Sequence, residues 1–377
     1  MHCPLRAKKR KEVKMRKLTN GTFSEDLALL MLMYGATDMG KTTQLSQIAK
    51  WYANHAPAKK IRMLTADSGT GPLQEEIANG QIEVLSLRRY HAPFGLLQRV
   101  VGMGYWNVED DGIEPVTGKV KWKARPTADF EWDNVGGYFI EGTQAIAMLL
   151  LGDHTMTGRK LSQDVMYTYN QDYSEVDPKT GRAMQKSVTM AGASPSHYGD
   201  VQKFMTAKLI PDSGLLPVDF VVWTGHESRG EDDMKAMKYG PATVGRAAVA
   251  DMVQLFQHVF HMDATVDTKA GVIGDRRAYF DLHPDVQAPN PSLAPKWEAK
   301  ISTPLSYKAE IKKLWPGGYV PLTEENGIEQ FLEFMKRKQT EARARARILQ
   351  NKAAAAAAGT AGTTGTTVPV AVPPVKP

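Results

Sequence analysis

Gly35-Ala36-Thr37-Asp38-Met39-Gly40-Lys41-Thr42 forms a complete G-x-x-x-x-G-K-[ST] phosphate-binding loop. The apolar run 29–34 before it is long enough for a buried strand, and the apolar residues after Thr43 recur at helical spacing. A strand, a glycine-rich loop and a helix in this order place the N–H groups of the loop and the helix N-terminus around a phosphate. The segment therefore predicts a nucleotide site.

The residues of this loop have separate expected roles. Gly35 and Gly40 permit tight backbone turns, so that successive N–H groups point at phosphate oxygens. Lys41 is expected to reach the β- and γ-phosphates of ATP, and the Thr42 hydroxyl to ligate Mg²⁺. The full set of expected nucleotide-binding residues is Gly35, Ala36, Thr37, Asp38, Met39, Gly40, Lys41, Thr42 and Thr43.

Composition and charge restrict the classes of protein. Cys3 is the single cysteine among 377 residues, which excludes an intrachain disulfide and a cysteine-based zinc site. No run of about 18 apolar residues and no secretory signal is visible, so we expect a cytoplasmic protein without a membrane partner (host cytoplasm if phage-encoded). The net charge of +6 is concentrated in segments 1–17 and 336–352. Such segments suit contact with a polyanion, although solvated chain ends explain them equally well.

Short apolar segments alternate with helical segments in the first two thirds of the chain. This alternation predicts an α/β fold with a doubly wound, mostly parallel sheet. The predicted organisation is a basic flexible arm at 1–22, a core at 23–263 with inserts near 105–134 and 165–196, a C-terminal extension at 264–350 that ends in a helix, and a disordered Ala/Gly/Thr/Pro tail at 351–377.

Two acidic residues follow predicted strands. Glu141 ends the run Gly137–Ile140, where open α/β sheets bind their ligands, and it is placed to hold Mg²⁺ through a water. Asp67 follows the strand candidate at 61–65 and is a candidate general base for the attacking water. A helix cap for Glu141 and a turn residue for Asp67 are the structural alternatives.

A third strand candidate, 220–224, precedes His226. A histidine there can sense the γ-phosphate by hydrogen bonding, or it can be a purely structural strand-end residue. The basic residues after it suit either a DNA-contacting loop or, for Arg246, an arginine finger that acts on a neighbouring subunit. These basic residues are Arg229, Lys235, Lys238 and Arg246.

The order of these parts resembles the RecA-like ATPases and, more closely, the phage-encoded AAA-type nucleotide-binding proteins similar to the Sak4-type recombinases. The segments that carry the resemblance are Tyr34–Thr43, Thr65–Asp67, Phe139–Thr143, Val222–Glu227 and Tyr239–Arg246.

The resemblance implies a RecA-like P-loop NTPase fold and a role for each site residue. Lys41 and Thr42 would bind phosphate and Mg²⁺, Glu141 would be the Walker B acid, Asp67 the catalytic carboxylate, and His226 the sensor. It also implies single-stranded DNA as effector, with DNA-contacting loops at 165–196 and 228–245. A homo-oligomeric ring or filament and partners among phage replication or recombination proteins follow by the same analogy.

Two departures from the family pattern bear on turnover. Glu141 stands where the family carries Asp, and Asp67 stands where RecA-like proteins carry Glu. Because a shorter carboxylate sits farther from the water, slow hydrolysis or binding without turnover is the alternative to a fast ATPase.

Three functions compete on the sequence. The first is an ATPase that acts on or with single-stranded DNA in recombination or replication, and the second is a DNA-packaging or assembly ATPase that works with protein partners. The third is a nucleoside kinase, because 40–45 resembles the start of thymidine kinases. Those enzymes usually carry a zinc-binding cysteine cluster, which a chain with only Cys3 cannot form.

Overall fold

A computed structural model provides the structure of the chain. It describes residues 28–67, 69–87, 97, 100–101, 106–113, 120–125, 132–156, 167–176, 183–192, 195–231, 237–242, 252–267, 272–279, 305–323 and 327–361.

The strands within these residues are β1 (Leu29–Gly35), β2 (Lys60–Thr65), β3 (Ile82–Ser86), β4 (Asn107–Ile113), β5 (Val120–Arg125), β6 (Val135–Glu141), β7 (Tyr167–Val176), β8 (Ala183–Gly192), β9 (Phe220–Glu231), β10 (Met237–Pro241), β11 (His258–Asp267), β12 (Val272–Tyr279) and β13 (Tyr319–Leu322). The helices are α1 (Lys41–His55), α2 (Gln74–Ala78), α3 (Thr143–Met156), α4 (Pro195–Phe204), α5 (Ile210–Ser213), α6 (Leu305–Leu314) and α7 (Glu329–Ala361). A 3₁₀ turn at Gly71–Leu73 precedes α2, and a π-helical segment at Met205–Leu209 joins α4 to α5.

One large sheet organises these elements, with the strand order β13-β12-β11-β1-β9-β6-β2-β3 and with β10 paired to β9. The six strands from β11 to β3 in this order are parallel to their neighbours, whereas β12 and β13 are antiparallel additions at one edge. The phosphate-loop strand β1 therefore lies inside the sheet, and β9 separates it from the strand that ends in Glu141.

Apolar side chains cover both faces of this sheet. On one face Leu32 and Trp223 belong to a buried cluster with residues of α3 and α4. On the other face the ring of Tyr52, from α1, packs edge-on against Phe220 at 5.2 Å between centroids. Each large side chain buried in this way contributes roughly 1.5–3 kcal/mol to folding. The predicted α/β fold with a doubly wound, mostly parallel sheet is confirmed.

The two predicted inserts each contain an antiparallel hairpin, β4–β5 in one and β7–β8 in the other. Trp106, near the start of the first insert, packs against the ring of Tyr138 at 5.6 Å between centroids. The guanidinium of Arg62 lies between Trp106 and Trp132, at 5.1 Å and 4.6 Å from the ring centroids. These two tryptophans thus bind the insert to the sheet.

The C-terminal helix is longer than the sequence predicts. Residues 351–361, expected to belong to a disordered tail, continue α7 as regular helix. The reason is the run of six alanines from Ala353, since alanine has the highest intrinsic helix propensity of all residues. The sheet lies in a compact unit that spans Leu27–Leu332, and the part of α7 from Glu333 onward belongs to a second unit.

Within the described part of the chain, no helix combines the length and the apolar character that a membrane crossing requires.

Candidate nucleotide site

The strand register brings the predicted site residues to one edge of the sheet. Gly35, at the end of β1, lies opposite His226 of β9, and Glu141, at the end of β6, lies opposite Thr65 of β2. The carboxyl ends of parallel strands form the ligand-binding edge of an open α/β sheet. A cavity of about 650 Å³ opens at this edge. Its lining consists of Thr37, Asp38, Gly40, Lys41, Thr42, Thr43, Asp67, Gly69, Pro72, Glu141, Gly142, Thr224, Gly225, His226 and Arg276.

The two glycines of the phosphate-binding loop are required for different structural reasons. Gly40 has φ = 83°, in the left-handed region that favours glycine, and it is directly followed by the first residue of α1. Gly35 is required for another reason, because a Cβ there would lie 2.3 Å from the carbonyl oxygen of Met262 on β11. Asp38 also has a left-handed φ, 64°, so the loop turns back on itself between the two glycines.

Lys41 is bound within the loop. Its Nζ donates hydrogen bonds to the carbonyl oxygens of Gly35 at 2.9 Å and Ala36 at 2.6 Å. Burial lowers the pKa of the Lys41 ammonium, and the nearby carboxylates, with Glu227 the strongest, act in the opposite direction. An anionic phosphate in the cavity would offset this desolvation and would be a stronger acceptor than a carbonyl oxygen.

Glu141 joins the phosphate loop to β2. Its Oε1 accepts a hydrogen bond from the Thr42 hydroxyl at 2.8 Å, and its Oε2 accepts one from the Thr65 hydroxyl at 3.0 Å. The residue is buried, with 3% of its surface exposed. Burial raises the pKa of the Glu141 carboxyl, while the two hydroxyl donors oppose that rise.

The Thr42–Glu141 pair fits the magnesium site that the sequence predicts. Mg²⁺ takes oxygen ligands, and in nucleotide sites it is bound by few protein groups together with phosphates and waters. A hydroxyl and a carboxylate oxygen 2.8 Å apart, at the mouth of the phosphate loop, supply such a partial set. The described residues contain no group of three or more His, Cys, Asp or Glu that could hold a metal by itself. The remaining ligands would therefore come from the nucleotide and from water.

Asp67 and His226 form a second polar pair in the cavity. The Nε2 of His226 lies 3.6 Å from Oδ2 of Asp67, and both side chains are about a third exposed. Gly142 permits this arrangement, since a Cβ on it would lie 3.3 Å from the Cβ of Asp67. The pair thus combines a carboxylate that can accept a proton with an imidazole beside it.

Backbone contacts secure the strand ends that carry these groups. The N–H of Gly142 donates to Oγ1 of Thr224 at 3.2 Å, and the hydroxyl of Thr143 donates to the carbonyl of Thr224 at 2.6 Å. The end of β6 is thereby attached to the end of β9. These hydrogen bonds fix the position of Glu141 relative to His226.

Glu227 and His261 form a buried pair of side chains that the sequence analysis does not single out. Nε2 of His261 lies 2.7 Å from Oε2 of Glu227, and both side chains are less than a tenth exposed. The His261 ring stacks on Tyr34, the residue before the phosphate loop, at 4.9 Å between centroids. Burial and the charge of Glu227 raise the pKa of the Tyr34 hydroxyl. The alternation of side chains along β9 is the signal that could have placed Glu227 opposite to His226.

Two of the four predicted DNA-contact residues lie in the β9–β10 hairpin. Arg229 lies on β9 opposite Tyr239, and Lys238 lies on β10 opposite Gly230. Lys235 and Arg246 lie outside the described residues. Arg276, which lines the cavity from β12, is a basic residue that the sequence analysis does not single out.

Strand β1 lies inside the sheet, and β9 lies between it and the strand that ends in Glu141. The phosphate-binding loop follows β1 directly. The fold is an α/β fold with a phosphate-binding loop at the ligand-binding edge of a mostly parallel sheet.

Comparison with known proteins gives only distant likenesses. The sequence matches no protein-family model and no curated protein. Among solved structures, the chain is similar to a KaiC-like protein from Pyrococcus horikoshii OT3, with a TM-score of 0.32, 11% identity, and coverage of 70% of this chain and 87% of that chain. It is also similar to the flagellar accessory protein FlaH from Methanocaldococcus jannaschii, with a TM-score of 0.31, 8% identity, and coverage of 66% and 76%. Likenesses at this level say nothing about activity, so the functional argument depends on the site itself.

Proposed function

We propose that the protein is a Mg²⁺-dependent ATPase that acts on or with single-stranded DNA, in recombination or replication of the phage type. The observation that supports nucleotide hydrolysis is one cavity lined by Lys41, Thr42, Glu141, Asp67 and His226. These residues come from four separate segments of the sequence. They supply a phosphate-binding cation, two metal-ligand oxygens and a candidate base, which is what phosphoryl transfer requires of a protein.

Each group has one task in this proposal. Lys41 exchanges its bonds to the loop carbonyls for bonds to the β- and γ-phosphates, and Thr42 with Glu141 holds the magnesium ion. The bound Mg²⁺ supplies charge neutralisation on the phosphate oxygens. Asp67 accepts the proton of the water that attacks the terminal phosphorus, and His226 holds the carboxylate in position. ADP leaves as the bond to the terminal phosphoryl group breaks.

Two groups of basic residues support DNA as the effector. Strand β9 runs from His226 in the cavity directly into the hairpin that carries Arg229 and Lys238. A contact at the hairpin would therefore act on the same strand that positions the site. The described part of α7 adds exposed cations, which suit sequence-independent contact with phosphates. These are Lys336, Arg337, Arg345, Arg347 and Lys352.

The proposed function is tested by measuring ATP hydrolysis with Mg²⁺, with and without single-stranded DNA, for the wild type and the Lys41→Ala variant. Stimulation by single-stranded DNA that is absent in the variant is the expected result. Stimulation only by double-stranded DNA would instead favour the packaging alternative. Nucleotide binding without a response to any DNA would contradict the DNA part of the proposal. The absence of nucleotide binding would overturn it altogether.

A further prediction concerns the pH dependence of turnover in a variant of Thr65. Its hydroxyl donates to Glu141 Oε2, and this hydrogen bond stabilises the ionised carboxylate. Thr65→Val removes the donor, so the pKa of Glu141 rises above its already raised value. Because the ionised form is the active one, activity is lost at a higher pH as the solution is acidified. The acid limb of the kcat profile is expected to move to higher pH in this variant.

Thr206→Val is the control for this shift. Thr206 lies in the π-helical segment Met205–Leu209, and its hydroxyl donates to the carbonyl of Gln202 and not to a residue of the cavity. Its acid limb should coincide with that of the wild type. An unshifted profile for Thr65→Val would show that ionisation of Glu141 does not limit the reaction.

A further inference from the structure

Strand β12 brings one arginine to the phosphate loop from outside the motif. β1 ends at Gly35, which pairs with Met262 of β11, and β11 continues beyond that level. Arg276 of β12 pairs with Ala264, two residues farther along β11. Arg276 therefore stands just above the end of β1, at the height of the loop.

The Arg276 side chain lies directly beside the loop. A Cβ on Gly40 would lie 3.5 Å from Cδ and 3.9 Å from Nε of Arg276. The residue is exposed and lines the same cavity as Lys41 and Thr42. Its guanidinium forms no hydrogen bond or ion pair with the residues that the structure describes. A planar set of N–H donors thus faces the cavity without a protein acceptor there.

The charges of the cavity indicate which ligand this guanidinium would take. Three carboxylates line the cavity, from Asp38, Asp67 and Glu141, and they repel a polyphosphate. Among the described lining residues, Lys41 and Arg276 carry the permanent positive charges. The acidic pair of Asp67 and Glu141 comes from strands on one side of β1, whereas Arg276 comes from the β11–β12 side. The two cations therefore approach a ligand on the loop from different directions.

We propose that Arg276 binds the phosphates of a nucleoside di- or triphosphate in the loop, as a second cationic contact supplied by the same chain. This inference rests on the proposed function and extends it to a residue on β12. A guanidinium binds phosphate oxygens in a bidentate manner, with stronger hydrogen bonds than a neutral donor forms. The contact lies on the side of β1 away from Glu141, so it adds to the contact of Lys41 from another direction.

Arg277 offers a matched control on the same strand. Neighbouring residues of a strand point to opposite faces, so Arg277 is directed away from Gly40. Its guanidinium lies 4.7 Å from the centroid of the Tyr319 ring and donates a long hydrogen bond, 3.5 Å, to the hydroxyl of Tyr279. Arg277→Ala removes the same charge from the same strand without a change in the cavity.

The test is a binding titration of Mg²⁺-ATP, Mg²⁺-ADP and inorganic pyrophosphate to the full chain. Arg276→Ala is expected to weaken all three by about 10- to 100-fold, the range for loss of a charge-assisted hydrogen bond. Arg276→Lys should recover part of the loss, because it keeps the charge without the planar donor set. Arg277→Ala should stay within about threefold of the wild type.

The outcomes separate this inference from the proposed function. A wild type that binds none of the three ligands would overturn the proposed nucleotide site. A wild type that binds them with an unchanged Arg276→Ala variant would overturn only the role of Arg276. A loss for ATP and ADP but not for pyrophosphate would assign the guanidinium to a part of the nucleotide that pyrophosphate lacks, and would contradict a contact to the phosphates that pyrophosphate occupies. Arg276→Gln, which preserves most of the side-chain volume, serves the same comparison if the alanine variant does not fold.

Discussion

Lys41→Ala is expected to weaken the binding of Mg²⁺-ATP by at least about 100-fold, because charge-assisted hydrogen bonds to two phosphates are lost. The carboxylates around Lys41 increase this loss of affinity. Lys41 is the cation that offsets the carboxylates around the loop, with Glu227 the strongest of them. Without the ammonium, these carboxylates repel the incoming polyphosphate. A direct titration, by calorimetry or with a fluorescent nucleotide, measures the effect without relying on turnover.

Lys59→Ala is the control for charge removal alone. Lys59 forms an exposed ion pair with Asp219 at 3.6 Å, away from the loop. Such pairs contribute little, about 0–1 kcal/mol to stability, so nucleotide affinity and folding should both remain close to the wild type. An affinity of Lys41→Ala near that of the wild type would mean that the loop is not a phosphate site.

Glu141→Gln is expected to retain the binding of Mg²⁺-ATP within about tenfold but to lower kcat on the order of 100-fold or more. The substitution keeps the shape of the side chain, and the amide oxygen can still accept the hydrogen bond from Thr42. It removes the negative charge that the proposed magnesium site requires. The amide nitrogen is also a donor, so one of the two threonine hydroxyls must reverse its role. Binding and catalysis are thereby separated.

Steady-state kinetics together with a binding titration measures this separation. Glu75→Gln, which neutralises an exposed carboxylate on α2, is the control and should leave kcat unchanged. Wild-type turnover by Glu141→Gln would remove the residue from the reaction. An equal loss of binding and turnover would assign it to ligand binding alone.

The strength of the local patterns explains how much of the site could be predicted from the sequence. The phosphate loop depends on eight adjacent residues, and Glu141 and Asp67 follow short apolar runs, so each could be found from its own neighbourhood. The sheet register then brings these separate segments to one edge and one cavity. Their catalytic roles stay predictions until the variants above are measured.

The tail shows where composition misleads. The run of alanines followed by Gly and Thr predicts a low-complexity tail, yet α7 continues to Ala361. The composition indicates that such a segment cannot bury a hydrophobic core. A helix, however, needs only backbone hydrogen bonds and residues of favourable helix propensity. The sequence alone also leaves the contacts of Trp106 open. In the structure its neighbours are Arg62 and Tyr138.

The sequence by itself determined the α/β class, the phosphate loop and the acidic strand ends, because each is written in contiguous residues or in a simple period. Only the tertiary structure decided that β9 lies between the loop strand and Glu141, and that Met262 requires a glycine at position 35. It also decided that His261 pairs with Glu227 and stacks on Tyr34. It also brought Arg276 to the loop from more than 230 residues farther along the chain. These features depend on which strands pair and in which register, and such long-range pairing is stabilised by burial and hydrogen bonds that no local pattern contains.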